Sequence, residues 1–105
     1  MNAKPGSART YEIPELKRGG VVITTINSGA GDFVRYVLLK DPETPGEPNV
    51  QIETGDLTHD QAGRWFIDRV VPMELGKYRV VFRVQLDGAP DEWETAYRVV
   101  PSPIP

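Results

Sequence analysis

Cysteine is absent from this chain of 105 residues. Without thiols there is no disulfide to supplement a small core and no thiolate nucleophile. The absence points to a reducing compartment or to an assembly context. Histidine occurs once, as His59, so the side chains for a zinc site are missing. Long apolar runs are missing as well: nothing approaches the roughly 18 residues that span a bilayer. The opening Met-Asn-Ala-Lys-Pro-Gly-Ser-Ala-Arg has no apolar segment of the kind a secretory signal carries. These absences predict a soluble protein, made in a cytoplasm, with no membrane partner. An excess of cations is lacking too. Lys and Arg number 12 against 15 Asp and Glu, for a net charge of -3, and nucleic acid is therefore not an expected partner.

Glycine and proline are plentiful, with ten of each. They leave no window of sustained helical periodicity and suit a β-protein with frequent turns. The length fits one domain with a single two-layer core. Hydrophobic residues make up 39% and charged residues 26%, as in folded proteins generally.

Period-two alternation carries the fold prediction. Trp65, Ile67 and Val71 share one parity, and so do Tyr78, Val80, Phe82 and Val84. Runs of this kind are half-buried antiparallel strands. Further strands are predicted at Val21-Val-Ile-Thr-Thr-Ile26, at 33–39, at Val50-Gln-Ile-Glu-Thr54, which leads through Gly55 into Asp56-Leu-Thr58, and at 93–100, for about seven in all. In the 33–39 strand both faces are apolar, and Phe33, Val37 and Leu39 are expected to point inward. Asp41-Pro-Glu-Thr-Pro-Gly-Glu-Pro48, 59–63 and Asp87-Gly88-Ala-Pro90 read as turns. The expected organisation is an arm over 1–19, a sandwich over 20–100 and a tail over 101–105. Trp65, Tyr78, Val80, Phe82, Tyr97 and Val99 are expected in the core, and Arg35, Arg64, Arg79, Arg83 and Arg98 on water-facing strand positions.

Catalytic chemistry finds little support. A nucleophilic triad would have to combine His59 with Ser7, Ser28 or Ser102, all in loops or tails. Glu92 and Glu94 share a strand face, but a sandwich this small offers no deep groove for a paired-carboxylate hydrolase. Asp41 and Glu43, Asp56 and Asp60, and Asp87, Asp91 and Glu92 populate three loops that could supply oxygen ligands to calcium. Their spacing matches no calcium loop, and turn aspartates usually bond their own backbone. No cofactor or metal is expected. The candidate apolar side chains for partner contact are Tyr11, Ile13 and Leu16 in the arm, Phe66 facing outward if Trp65 faces inward, and Trp93 at a strand start.

Lys40-Asp41-Pro42, Thr54-Gly55-Asp-Leu-Thr-His-Asp-Gln-Ala-Gly63-Arg-Trp65-Phe-Ile-Asp68 and Gly76-Lys-Tyr78-Arg-Val80 resemble the small immunoglobulin-like proteins encoded among the structural genes of tailed bacteriophages. The likeness covers about 20–100. Gly76 followed by Tyr78 also resembles the strand-opening tyrosine of immunoglobulin-like sandwiches. Pro-Gly-Glu-Pro after Pro42 departs from the simpler turn of that pattern, as does the long polar arm. The resemblance implies an all-β, immunoglobulin-like antiparallel sandwich. It implies a non-enzymatic virion part, such as a head decoration, neck or tail accessory. Such a part is made in the host cytoplasm and is oligomeric among other capsid or tail proteins. On this expectation Tyr11, Ile13, Leu16, Phe66 and Trp93 make the partner contacts. The alternative is an adhesion module binding carbohydrate or a cell surface through its loops.

Overall fold

The computed structural model describes residues 2–101. It is built from β-strands, and among the described residues the only helical turn is a 3-10 turn at Ser28–Ala30. The strands are β1 (Asn2–Ala3), β2 (Ala8–Ile13), β3 (Lys17–Arg18), β4 (Val21–Val22), β5 (Phe33–Lys40), β6 (Val50–Asp56), β7 (Thr58–His59), β8 (Trp65–Val70), β9 (Gly76–Leu86) and β10 (Ala89–Val99). One sheet has the order β1-β10-β9-β5-β6 and a second the order β2-β8-β7, while β3 and β4 form a separate short ladder. Every pairing is antiparallel except β1 with β10, where Asn2 and Ala3 run parallel to Arg98 and Val99.

The core lies between the two sheets in a sandwich-like arrangement. β5 contributes Val34, Tyr36 and Leu38, β9 contributes Tyr78, Val80, Phe82 and Val84, and β10 contributes Tyr97 and Val99. The second sheet answers with Tyr11, Ile13 and Trp65. All six core residues named from the alternation are buried. The parity expected for 33–39 is reversed, since Phe33, Val37 and Leu39 lie on the outer face. Val37 is nonetheless buried there. It sits opposite Val81, and in the same register Arg35 faces Arg83 and Leu39 faces Arg79. Arginine stems flanking this central pair cover it from water. Apolar content alone therefore could not tell the two faces apart.

The first 19 residues are not an arm. β2 pairs along its whole length with β8, Ala8 with Val70 through Ile13 with Trp65. Its alternation is regular: Thr10 and Glu12 are exposed, while Tyr11 and Ile13 are buried. The physical reason is coverage. Without β2, the second sheet would consist of β8 and two residues of β7, too little to bury the inner face of five strands. Tyr11 is 2% exposed, Ile13 8% and Leu16 2%. The strand predicted at 21–26 shrinks to Val21–Val22, while Ile23 and Ile26 pack against the core from a loop. Of the expected C-terminal tail, 102–105 lie outside the described residues.

Turn chemistry follows the sequence. Asp87 and Gly88 both have positive φ, 52° and 76°, the geometry of a two-residue hairpin that joins Leu86 to Ala89. Gly63, at φ 79°, has no room for a side chain, because an added Cβ would stand 2.5 Å from Val22 and 3.3 Å from the Leu16 carbonyl. It carries the close approach of the segment after β2 to the start of β8, where the Leu16 N–H donates to the Gly63 carbonyl at 2.8 Å.

Candidate protein-contact edge

All four tyrosines lie in the core and form a run of rings across both sheets. Tyr36 meets Tyr11 at 5.4 Å, Tyr11 meets Tyr97 at 6.3 Å, and Tyr97 meets Tyr78 at 5.7 Å between centroids. The Tyr11 and Tyr97 hydroxyls share a buried hydrogen bond of 2.8 Å from one sheet to the other. The Tyr78 hydroxyl donates to the Glu74 carbonyl at 2.7 Å, back to the backbone four residues upstream. Burial raises the pKa of every one of these phenols. For Tyr11 the hydrogen bond to Tyr97 adds to the effect. Arg9, whose guanidinium sits 4.4 Å over the Tyr97 ring, opposes it.

The polar side chains singled out for chemistry are engaged structurally. His59 Nε2 accepts the Gly63 N–H at 3.2 Å while its ring lies against Trp65, 5.3 Å between centroids. Ser7 donates to the Lys4 carbonyl, Ser28 starts the 3-10 turn, and Ser102 lies outside the described residues. Asp41 holds Arg79 through both oxygens, at 2.8 and 3.3 Å, and this hydrogen bonding keeps the Arg79 guanidinium more basic than usual. Asp60 pairs with Arg64, Asp56 with Arg35, and Asp91 with Arg18. The one buried acid, Asp32, accepts the Asn27 and Asp87 backbone N–H groups and ties two loops together. Among the described residues, no three His, Asp or Glu side chains converge on a common point suited to a metal ion.

The predicted contact residues separate into three environments. Tyr11, Ile13 and Leu16 are core, which corrects their assignment to a neighbouring subunit: their alternation serves the chain's own second sheet. Phe66 does face outward, in register with Glu12 and Thr58, but it is half-buried with the Arg64 guanidinium 4.3 Å over its ring. Arg64 is itself fixed between Glu12 at 2.6 Å and Asp60 at 3.0 Å. Phe66 is therefore a covered ring rather than an open apolar strip. Arg69 falls on the inward parity of β8 but lies at its exposed end, where Glu53 holds it at 2.9 Å.

Trp93 remains. It is 43% exposed on β10, opposite the buried Phe82 of β9. Beside it opens a groove of about 360 Å³ lined by apolar Ile13, Pro14, Phe82 and Trp93 together with charged Glu12, Glu15, Lys17 and Glu94. Pro14 follows directly on β2 and, lacking an N–H, cannot prolong its pairing. β10 runs on past this point to its hairpin end, where Arg18 of β3 donates to the Leu86 and Ala89 carbonyls and pairs with Asp91. Between Pro14 and that contact the inner face around Trp93 stays open.

The edge of β10 is open as well. Residues 89–96 pair on one side with β9, and β1 reaches only Arg98 and Val99 on the other. No strand lies beyond 89–96 among the described residues. Val100 donates its N–H to Ala3 on that side, so by alternation Glu92, Glu94 and Ala96 present their N–H and C=O groups to the same edge. Pro90, which has no N–H, occupies the equivalent place near the hairpin. Sequence patterning located Trp93 but not the groove, because Phe82 reads as an ordinary core residue and Ile13 as part of a separate arm. Comparison with protein-family models, with curated proteins and with solved structures gave no match.

Proposed function

We propose that this chain is a non-enzymatic structural component that works by occupying a protein surface in a larger assembly. Following the resemblance carried by residues 40–42, 54–68 and 76–80, that assembly is the virion of a tailed bacteriophage and the fold is immunoglobulin-like. The observation that carries the contact reading is Trp93, a large aromatic exposed beside an apolar groove on a strand with an unpaired edge. Exposed tryptophans in such settings serve as interface anchors. The Tyr78 hydroxyl bonded to the Glu74 carbonyl supports the immunoglobulin-like reading, since a tyrosine at a strand opening that reaches back to upstream backbone is a mark of that fold.

The test is mass spectrometry of density-gradient-purified particles from a lysate of the host that carries this gene. The chain is expected in stoichiometric proportion to the capsid or tail proteins. Its presence in the lysate together with its absence from the particles would overturn the virion assignment. Binding of the purified protein to an immobilised glycan through Trp93 would favour an adhesion module instead.

A further inference from the structure

The open edge of β10 has a definite chemistry. On the outer face of the sheet it carries Glu92 and Glu94, both more than half exposed. Each pairs with an arginine of β9, Glu92 with Arg83 at 3.4 Å and Glu94 with Arg79 at 3.5 Å, the latter arginine also holding Asp41 at 2.8 Å. Exposed pairs of this kind are worth little and can be exchanged for a partner's cations. On the inner face the same stretch carries Trp93 beside the groove. A strand laid along this edge would use the N–H and C=O groups of Glu92, Glu94 and Ala96. It would place alternate side chains against the two acids and the intervening ones against Trp93.

A second copy of the same stretch is a poor occupant. Antiparallel self-pairing centred on Trp93 sets Glu92 against Glu94 twice. Centred on Glu94 it sets that residue against its own copy, and centred on Glu92 it does the same there. Like charges directly opposite destabilise a strand pair. Moving the centre to Thr95 faces Glu92 with Arg98, but that register claims the edge already used by β1. The acids and Pro90 therefore guard the edge against self-association, while leaving it open to a strand of opposite charge.

We infer that β10 is an acceptor site for β-strand addition, and that its occupant is an extended segment of a different protein with the pattern cation–apolar–cation. The two cations meet Glu92 and Glu94 on the outer face, and the apolar side chain enters the groove between Trp93, Ile13 and Pro14. This inference rests on the reading of the chain as an assembly component and names the kind of partner it takes.

The experiment uses two end-blocked eight-residue peptides, one alternating lysine with valine and one alternating glutamate with valine, titrated into the full-length protein. Binding is read from amide hydrogen exchange. The lysine peptide is expected to slow exchange at Glu92, Glu94 and Ala96, and the glutamate peptide to leave it unchanged. Glu94→Pro removes one outward N–H without touching the β9 ladder and is expected to weaken the lysine peptide roughly tenfold. The double variant Glu92→Lys/Glu94→Lys, whose folding need not match that of the proline variant, is expected to exchange the two preferences. Three outcomes overturn the inference: no protection at β10 with either peptide, equal binding of both, or protection that appears with protein concentration alone, which would make a second copy the occupant. The inference and the virion reading fail separately. Particles that incorporate Glu94→Pro normally would leave the virion reading standing and remove the edge. Absence from particles with intact peptide binding would do the reverse.

Discussion

The shared hydrogen bond between Tyr11 and Tyr97 is a buried polar contact that crosses the core from sheet to sheet. A hydroxyl pair of this kind satisfies both members at once, so removing one strands the other in an apolar setting. Tyr11→Phe and Tyr97→Phe should each cost about 1–2 kcal/mol in urea unfolding. The double variant should cost less than their sum, because no orphaned hydroxyl is left. A double-mutant cycle measures that difference directly, and strict additivity would show that the two hydroxyls do not depend on each other. At this scale the sequence was only partly legible. The alternation in residues 65–71 and 78–84 identified which of those side chains face inward. In 33–39 it could not, because Val37 and Leu39 are as apolar as Val34 and Leu38. The signal that decides it is Arg35, which shares the parity of Phe33, Val37 and Leu39 and lies in register with Arg83 of β9, so this face is the one turned to water.

Among the elements, β2 shows why the sequence reading failed where it did. Arg9-Thr-Tyr-Glu-Ile13 alternates as regularly as β8, but Pro5, Gly6 and Pro14 bracket it and make the whole segment read as punctuation. The prolines in fact delimit a short strand. Their placement at its flanks is the arrangement that lets a six-residue element start and stop cleanly. A truncation lacking residues 1–13 should therefore not fold, giving a far-ultraviolet spectrum without strand signal and no cooperative thermal transition. Tyr11→Ala, a gentler change, should cost about 3–5 kcal/mol as the loss of a buried aromatic. A truncated protein that melted like the full chain would reinstate the arm. The open edge of β10 was illegible for a different reason. Alternation reports which face of a strand is buried, whereas an edge depends on which other strands fail to arrive. Trp93 was visible as an exposed aromatic, but the groove beside it needed Ile13 and Pro14 from a segment 80 residues distant in the chain.

For the molecule as a whole, the four buried phenols tie stability to alkaline pH. Burial holds each of them above the ordinary tyrosine value near 10 in the folded state. Above that pH the unfolded chain releases phenolic protons that the folded chain retains. The unfolded state then binds fewer protons, and unfolding free energy falls as pH rises. The stabilising contribution is complete below pH 10 and lost progressively above it. Absorbance at 295 nm should thus show little tyrosinate until the protein unfolds, and then a joint rise that coincides with loss of the strand signal. Independent titration of one or more tyrosines near pH 10 in a still-folded protein would contradict their placement in the core.

The parallel contact of β1 with β10 has a mechanical meaning. Force applied through the chain on either side of the domain pulls Asn2 backward along one strand and Val99 forward along the other. The bonds joining them are then loaded together, in shear, instead of being peeled apart one at a time. A component fixed between two bodies of an assembly would meet tension with this short clamp first, and the tyrosine run packed behind it would be exposed only after the clamp had slipped.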